Sequence, residues 1–185
     1  MAQADAPRRI AAVDVGFASS GIAVMEHTRL GWEPVALRCL RTEPSANKKH
    51  LRVADDDAER VMSQAREFLA IIARHNVIAL VVETPHGGAK SSRASRCMGL
   101  ATGMIATIAA ATGVAVEWYG PDQTRSAATG DKKATKTQVI NGASKAFGSV
   151  DFQAMPNNVE REAIADALAT FLAALELGNV VRMIG

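Results

Sequence analysis

Cysteine is nearly missing from this chain: among 185 residues only Cys39 and Cys97 carry thiols. They stand far apart, with no Cys-x-x-Cys pair and no histidine at ligand spacing. That argues against a zinc site and leaves two reduced, buried thiols as the expectation. An excess of charge is missing as well. With 21 Lys and Arg against 19 Asp and Glu, the overall balance points to no partner. No repeat or low-complexity tract interrupts the chain, and the polar stretch Met1 to Arg9 holds no apolar signal core. The run from Gly99 to Val116 is apolar but rich in Gly, Ala and Thr. No membrane span and a cytoplasmic location are therefore expected.

What is present is enough apolar material for one full core, since 48% of the residues are hydrophobic. Residues 1–8 read as a disordered lead-in and 9–185 as a single domain. Its organising stretch is Ile10-Ala11-Ala12-Val13-Asp14-Val15-Gly16, a short apolar run that delivers one carboxylate and then turns. An acid at the end of a buried strand is costly unless a cation or a hydrogen bond meets it. The device recurs in Val77 to Pro85, another apolar run ending in an acid, Glu83, and a breaker. A third acid, Asp166, sits in the apolar segment Ala163 to Ala169. Three separated carboxylates in apolar surroundings suggest one site for a hard cation.

The first run predicts a strand to about Val15, followed by strands from Ile22 to about Glu26 and from Val35 to Leu40. A turn around Gly31-Trp32-Glu33-Pro34 would make these three an antiparallel meander. Asp55-Asp56-Asp57 read as a cap and first-turn acids for a helix whose apolar positions are Val61, Ala65, Phe68, Leu69 and Ile72. After the strand ending at Glu83 come a basic segment, Ala89 to Arg96, a small-residue helix to about Ala111, and a strand over Val114 to Trp118. Helices are expected from Pro121, over Lys136 to Phe147, and over Val159 to Glu176. This order argues for an α/β fold with a mixed five-stranded sheet flanked by helices. Charge is unevenly spread: Thr84 to Ser149 holds eight bases against three acids, a basic region suited to tracking phosphates.

Asp14-Val15-Gly16 with Ser20-Gly21, the strand ending in Glu83, Lys136-Thr137-Gln138-Val139, and Ala165-Asp166-Ala167-Leu168-Ala169 together resemble the RuvC family of Holliday-junction resolvases. The order and spacing agree from about residue 9 to 176. No one of these motifs is specific, because Asp-x-Gly after a strand also opens actin-like ATPases; the ordered set of four is the signal. The resemblance implies the ribonuclease H-like fold and a metal-dependent endonuclease that resolves four-way junctions by paired nicks. It implies Asp14, Glu83 and Asp166 as catalytic, metal-holding carboxylates for two Mg²⁺ ions per site, with Mn²⁺ able to substitute, and Lys136 as a phosphate-facing catalytic lysine. Branched DNA and a second copy of the chain are the implied partners.

In one place the sequence departs from the family, which commonly has a carboxylate three residues before the helix aspartate. Here that position is Ala163, and Glu162 lies one residue earlier. On a helix, position i−4 lies only about 40° from Asp166, so Glu162 is expected to serve as the fourth ligand. Arg125, Lys132, Lys133, Lys90, Arg93 and His86 are the expected DNA contacts. The stripe Gly99, Gly103 and Thr107, four apart on one face, would let a partner helix approach closely. Rival readings are a nuclease of the same fold acting on forks, flaps or hybrids, a catalytically inert DNA-binding relative, and an actin-like ATPase. The last needs a second related half that this chain has no room to supply.

Overall fold

Along the first apolar run the side chains alternate, Ile10 and Ala12 to one face, Ala11 and Val13 to the other, and all four are buried. Burial on both faces marks a central strand. The computed structural model describes residues 8–46, 52–85 and 91–184. Its elements are β1 (Arg9–Asp14), β2 (Ser19–Thr28), β3 (Gly31–Arg41), α1 (Val53–His75), β4 (Val77–Glu83), α2 (Ser92–Thr112) and β5 (Ala115–Tyr119). Then follow α3 (Pro121–Thr129), α4 (Lys136–Ala146), a 3₁₀ turn over Phe152–Ala154, α5 (Asn158–Leu177) and α6 (Asn179–Ile184). The five strands form one sheet in the order β3-β2-β1-β4-β5, with β1-β2-β3 antiparallel and β4 parallel to both β1 and β5. The expected mixed sheet is therefore present.

One layer of the core lies between the sheet and α5, where Phe171, Leu168 and Ile164 meet Ile10, Ala12, Ala79 and Val81. The other lies under α1 and α2, where Phe68, Ile71 and Ile105 meet Ala11, Val13, Leu80 and Val82. Two glycines allow backbones to touch. A Cβ on Gly21 would lie 1.8 Å from the Ala163 carbonyl oxygen, so β2 and the start of α5 meet there as bare backbone. A Cβ on Gly142 would lie 2.1 Å from the Ala128 oxygen, which sets α4 against α3.

Several expectations are corrected. The β2–β3 turn is the tight loop around Arg29 and Leu30, not Gly31 to Pro34. Gly31 adopts φ 119° as the first residue of β3, and Pro34 sits in that edge strand beside an irregularity in its register. An edge strand tolerates the missing N–H. Helix α2 begins at Ser92, capped by Ser91, so Arg93 and Arg96 are helical rather than part of a loop. In α1, Leu69 is exposed and Ile71 is buried instead.

Asp57 is not a solvated cap. Its side chain is 1% exposed and accepts from Arg93 NH2 at 2.7 Å and Arg96 NH2 at 2.6 Å. The hydrogen bond from Arg93, followed by that from Arg96, holds its carboxyl down to about 2 against the effect of burial. Cys97 is buried beside it, and Cys39 is half-buried; both thiols are free.

Among the described residues α2 is long and apolar enough to cross a membrane, yet one side of it packs on the sheet through Ala101, Met104, Ile105 and Ile108. The lead-in expected over 1–8 lies outside the described residues except for Arg8, which donates to the Ile184 carbonyl at 2.7 Å. His86 and Lys90 also lie outside them.

Candidate active site

Parallel pairing of β1 with β4 puts Asp14 and Glu83 opposite each other in register at the carboxyl ends of their strands. By alternation both face the same side as Ile10, Ala12, Ala79 and Val81, the side covered by α5. Across β2, Asp14 is paired with Gly21, and the bare backbone of Gly21 lets α5 lie close enough to bring Asp166 over the pair. The turn after Asp14 is pinned from within. Buried Ser20 accepts from Gly16 N–H at 3.1 Å and donates to Gln64 Oε1 at 2.7 Å, while Gln64 Nε2 donates to the Phe17 carbonyl at 2.8 Å.

The three carboxylates feel one another. Burial, then the charges of Asp166 and Glu83, pushes Asp14 well above the usual carboxylate range. Glu83 is pushed up to about 7 by burial and the charge of Asp166, against a hydrogen bond from Thr124 Oγ1 at 2.6 Å. Asp166 is raised to about 6 by burial, with Lys136 and Arg125 acting the other way. Such a set is short of positive charge.

Lys136 is the first residue of α4, which Thr135 and Gln138 cap reciprocally. Its ammonium donates to Glu162 Oε2 at 2.5 Å. Burial lowers the Lys136 pKa, but the bond to Glu162 and the charge of Asp166 outweigh it and keep the pKa raised. The structure thus gathers Asp14, Glu83, Asp166, Glu162, Lys136 and Arg125 at one place. Arg125 lies near enough for its charge to act against the raised pKa values of Glu83 and Asp166. Lys132 and Lys133 are exposed on the α3–α4 connection, and Arg93 is engaged with Asp57 on the other face of the sheet. Thr124 was not foreseen. A lone threonine in a short polar helix gives no signal until packing places it against Glu83.

The donor set suits a hard cation that keeps part of its own water, because it offers carboxylate oxygens and no thiolate or imidazole. Among the described residues no three acidic, His or Cys side chains close into a tight coordination cage.

These shifts carry a pH dependence. Between about pH 4 and pH 7 the folded chain holds protons on Glu83 and Asp166 that the unfolded chain has released, so stability falls as pH rises through that window. His75, lowered by burial, works in the opposite direction near neutrality. With chelator present, Glu83→Gln should therefore gain melting temperature over the wild type at pH 8 and lose that gain by pH 4.5. A constant difference across the range would show that Glu83 is not strained.

Known proteins resemble this chain along most of its length. Residues 10–173 match the family described as crossover junction endodeoxyribonuclease RuvC. The protein of that description from Pelotomaculum thermopropionicum is 30% identical over 160 residues, spanning 86% of this chain and 88% of its own length. The structure of Thermus thermophilus RuvC in complex with Holliday junction substrate superposes with a TM-score of 0.72 at 24% identity, over 95% of this chain and 96% of that one. The yeast mitochondrial Holliday junction resolvase superposes with a TM-score of 0.54 at 13% identity, over 95% of this chain and 84% of that one. The fold is therefore the ribonuclease H-like one shared by these resolvases.

Proposed function

Because the chain belongs to the RuvC family of crossover junction endodeoxyribonucleases, we propose that it resolves four-way DNA junctions by hydrolysing one phosphodiester in each of two opposed strands. The observation that carries this reading is the in-register pairing of Asp14 with Glu83 beneath Asp166. These three side chains would hold two Mg²⁺ ions, for which Mn²⁺ can substitute. A divalent ion supplies, when bound, Lewis-acid activation of water and charge balance at the leaving oxygen. Thr124 fixes the rotamer of Glu83 by its hydrogen bond. Lys136 holds the scissile phosphate or the charge that develops on it, while Arg125, Lys132 and Lys133 take neighbouring phosphates; Lys90 and Arg93 would meet DNA away from the carboxylates, and His86 would stack on a base. Action on DNA is consistent with a cytoplasmic protein. The test is cleavage of matched junction, fork, duplex and hybrid substrates with Mg²⁺ and with chelator. Junction-selective nicking that chelator stops is expected, and equal cutting of all four would sink the junction reading.

Glu162 serves two partners in this reading, Lys136 at rest and an ion as fourth ligand. Glu162→Ala should then lower the rate and raise the Mg²⁺ concentration for half-maximal activity. A lower rate with unchanged Mg²⁺ dependence would leave Glu162 only as the holder of Lys136, and wild-type behaviour would remove it from the site.

Paired nicking needs two sites, and we place the second on another copy of the chain across α2. Gly99, Gly103 and Thr107 are exposed there, and nothing lies within 4 Å of a Cβ added at either glycine. Gly103→Trp should block close helix approach and yield a monomer in sedimentation. A wild type that stays monomeric with junction bound would defeat the paired-site arrangement.

A further inference from the structure

On the side of the sheet away from Asp166, an open groove of about 450 Å³ joins the turn that follows Asp14 to the first turns of α2. Its floor is apolar, made by Ala18, Pro44, Ala94 and Met98, and its walls carry Arg60 and Arg93. Both arginines are held from behind. The Arg60 guanidinium lies 4.3 Å from the centre of the Phe17 ring, and its Nε and NH2 donate to the Thr42 hydroxyl at 3.2 Å and carbonyl at 3.0 Å. No carboxylate pairs with Arg60 among the described residues. Arg93 is fixed by Asp57, but that one buried acid also serves Arg96, so two guanidiniums share a single negative charge. The groove therefore combines an apolar floor, a Phe17 ring stacked with a planar cation, and positive charge in excess of its acids.

A duplex presents only phosphates to such a place, and its apolar floor would stay unmatched. An acidic peptide matches the charge, and matches the floor only where an aromatic residue stands beside its acids. An unstacked nucleotide matches both features, with its base on the floor and its phosphate at the arginines. We propose that this groove is a nucleotide subsite, which takes one unpaired nucleotide of the bound junction. This rests on the junction-nuclease reading. It adds a site that the carboxylate chemistry does not need. Arg60 and Phe17 act as binding residues of the groove, and Asp57 positions Arg93. Phe17 follows Asp14 by only three residues, so a base held here is tied to the turn that leaves the strand carrying that carboxylate.

The test uses synthetic four-way junctions, each with one iodouracil at a successive position around the cleavage point, bound to the full chain in Ca²⁺ and irradiated. One position is expected to link to Phe17 or Met98. Ala94→Phe, which fills the groove without removing any of its polar contacts, should reduce that link about tenfold, and Arg60→Gln should weaken junction affinity by about 5- to 100-fold, as loss of a stacked base does. Circular dichroism checks that both variants fold. Links that map only outside the groove, or a groove link that Ala94→Phe leaves unchanged, overturn the proposal. So does an acidic peptide that occupies the groove while no DNA link forms. If the wild type cuts junctions and gives no groove link, this proposal alone falls; if it neither binds nor cuts them, the nuclease reading falls too.

Discussion

Asp14→Asn is expected to reduce strand cleavage by about three orders of magnitude while junction affinity changes by no more than about threefold. The substitution keeps the shape of the side chain and its place opposite Glu83, and removes one negative charge from a set that already repels itself. Cation binding suffers directly, because the amide oxygen is a much weaker ligand than a carboxylate. The arginines and lysines of the basic middle region are untouched. Glu83→Gln should behave alike. A gel-shift titration in Ca²⁺ beside a cleavage time course in Mg²⁺ separates the two effects, and a parallel loss of binding and cutting would remove Asp14 from the metal site. The same variant should melt at a higher temperature than the wild type at pH 8 in chelator, since the buried charge is gone.

Gly21→Val should abolish activity by a different route. A Cβ at residue 21 would meet the Ala163 oxygen at 1.8 Å and its carbonyl carbon at 2.4 Å, and both partners are backbone, so no side chain can swing aside. Helix α5 must lift from β2, and Asp166, three residues beyond Ala163, lifts with it. Overpacking of this kind costs about 1–3 kcal/mol or more, which in a domain of this size lowers the melting temperature by roughly 5–10 °C. Cleavage measured well below that temperature should still fall by at least about a hundredfold, because a displacement near 1 Å at reacting groups has that effect. Gly148→Ala is the control, since nothing lies within 4 Å of a Cβ there. Full activity in Gly21→Val would mean that the carboxylates tolerate a shifted α5.

The two acids at strand ends were legible because a buried parallel strand advertises itself as a continuous apolar run, and a charge closing such a run needs an explanation. Asp166 was legible for the same reason on a helix. Register was not, and only the pairing of β1 with β4 shows that Asp14 and Glu83 meet. Asp57 misled because three adjacent aspartates before a helical pattern look like a capped first turn. Two arginines on α2, nearly forty residues away in sequence, draw the third of them inside. The hairpin turn misled because Gly and Pro mark turns locally, whereas here Gly31 opens β3 and Pro34 lies on the sheet edge. Thr124 left no trace in the pattern, since its role depends on how α3 packs against β4.

The three carboxylates of the candidate site come from the first strand, the fourth strand and the fifth helix. On a ribosome these segments emerge in that order, and α5 emerges after the whole sheet has been made. Domains tend to acquire structure as they are synthesised, N-terminal parts first. Until α5 emerges, the face of the sheet that carries Asp14 and Glu83 lacks its cover as well as Asp166. A half-made or C-terminally truncated chain then has no complete donor set. The placement of one acid on the late helix delays completion of the carboxylate set until all of the sheet's strands have been made.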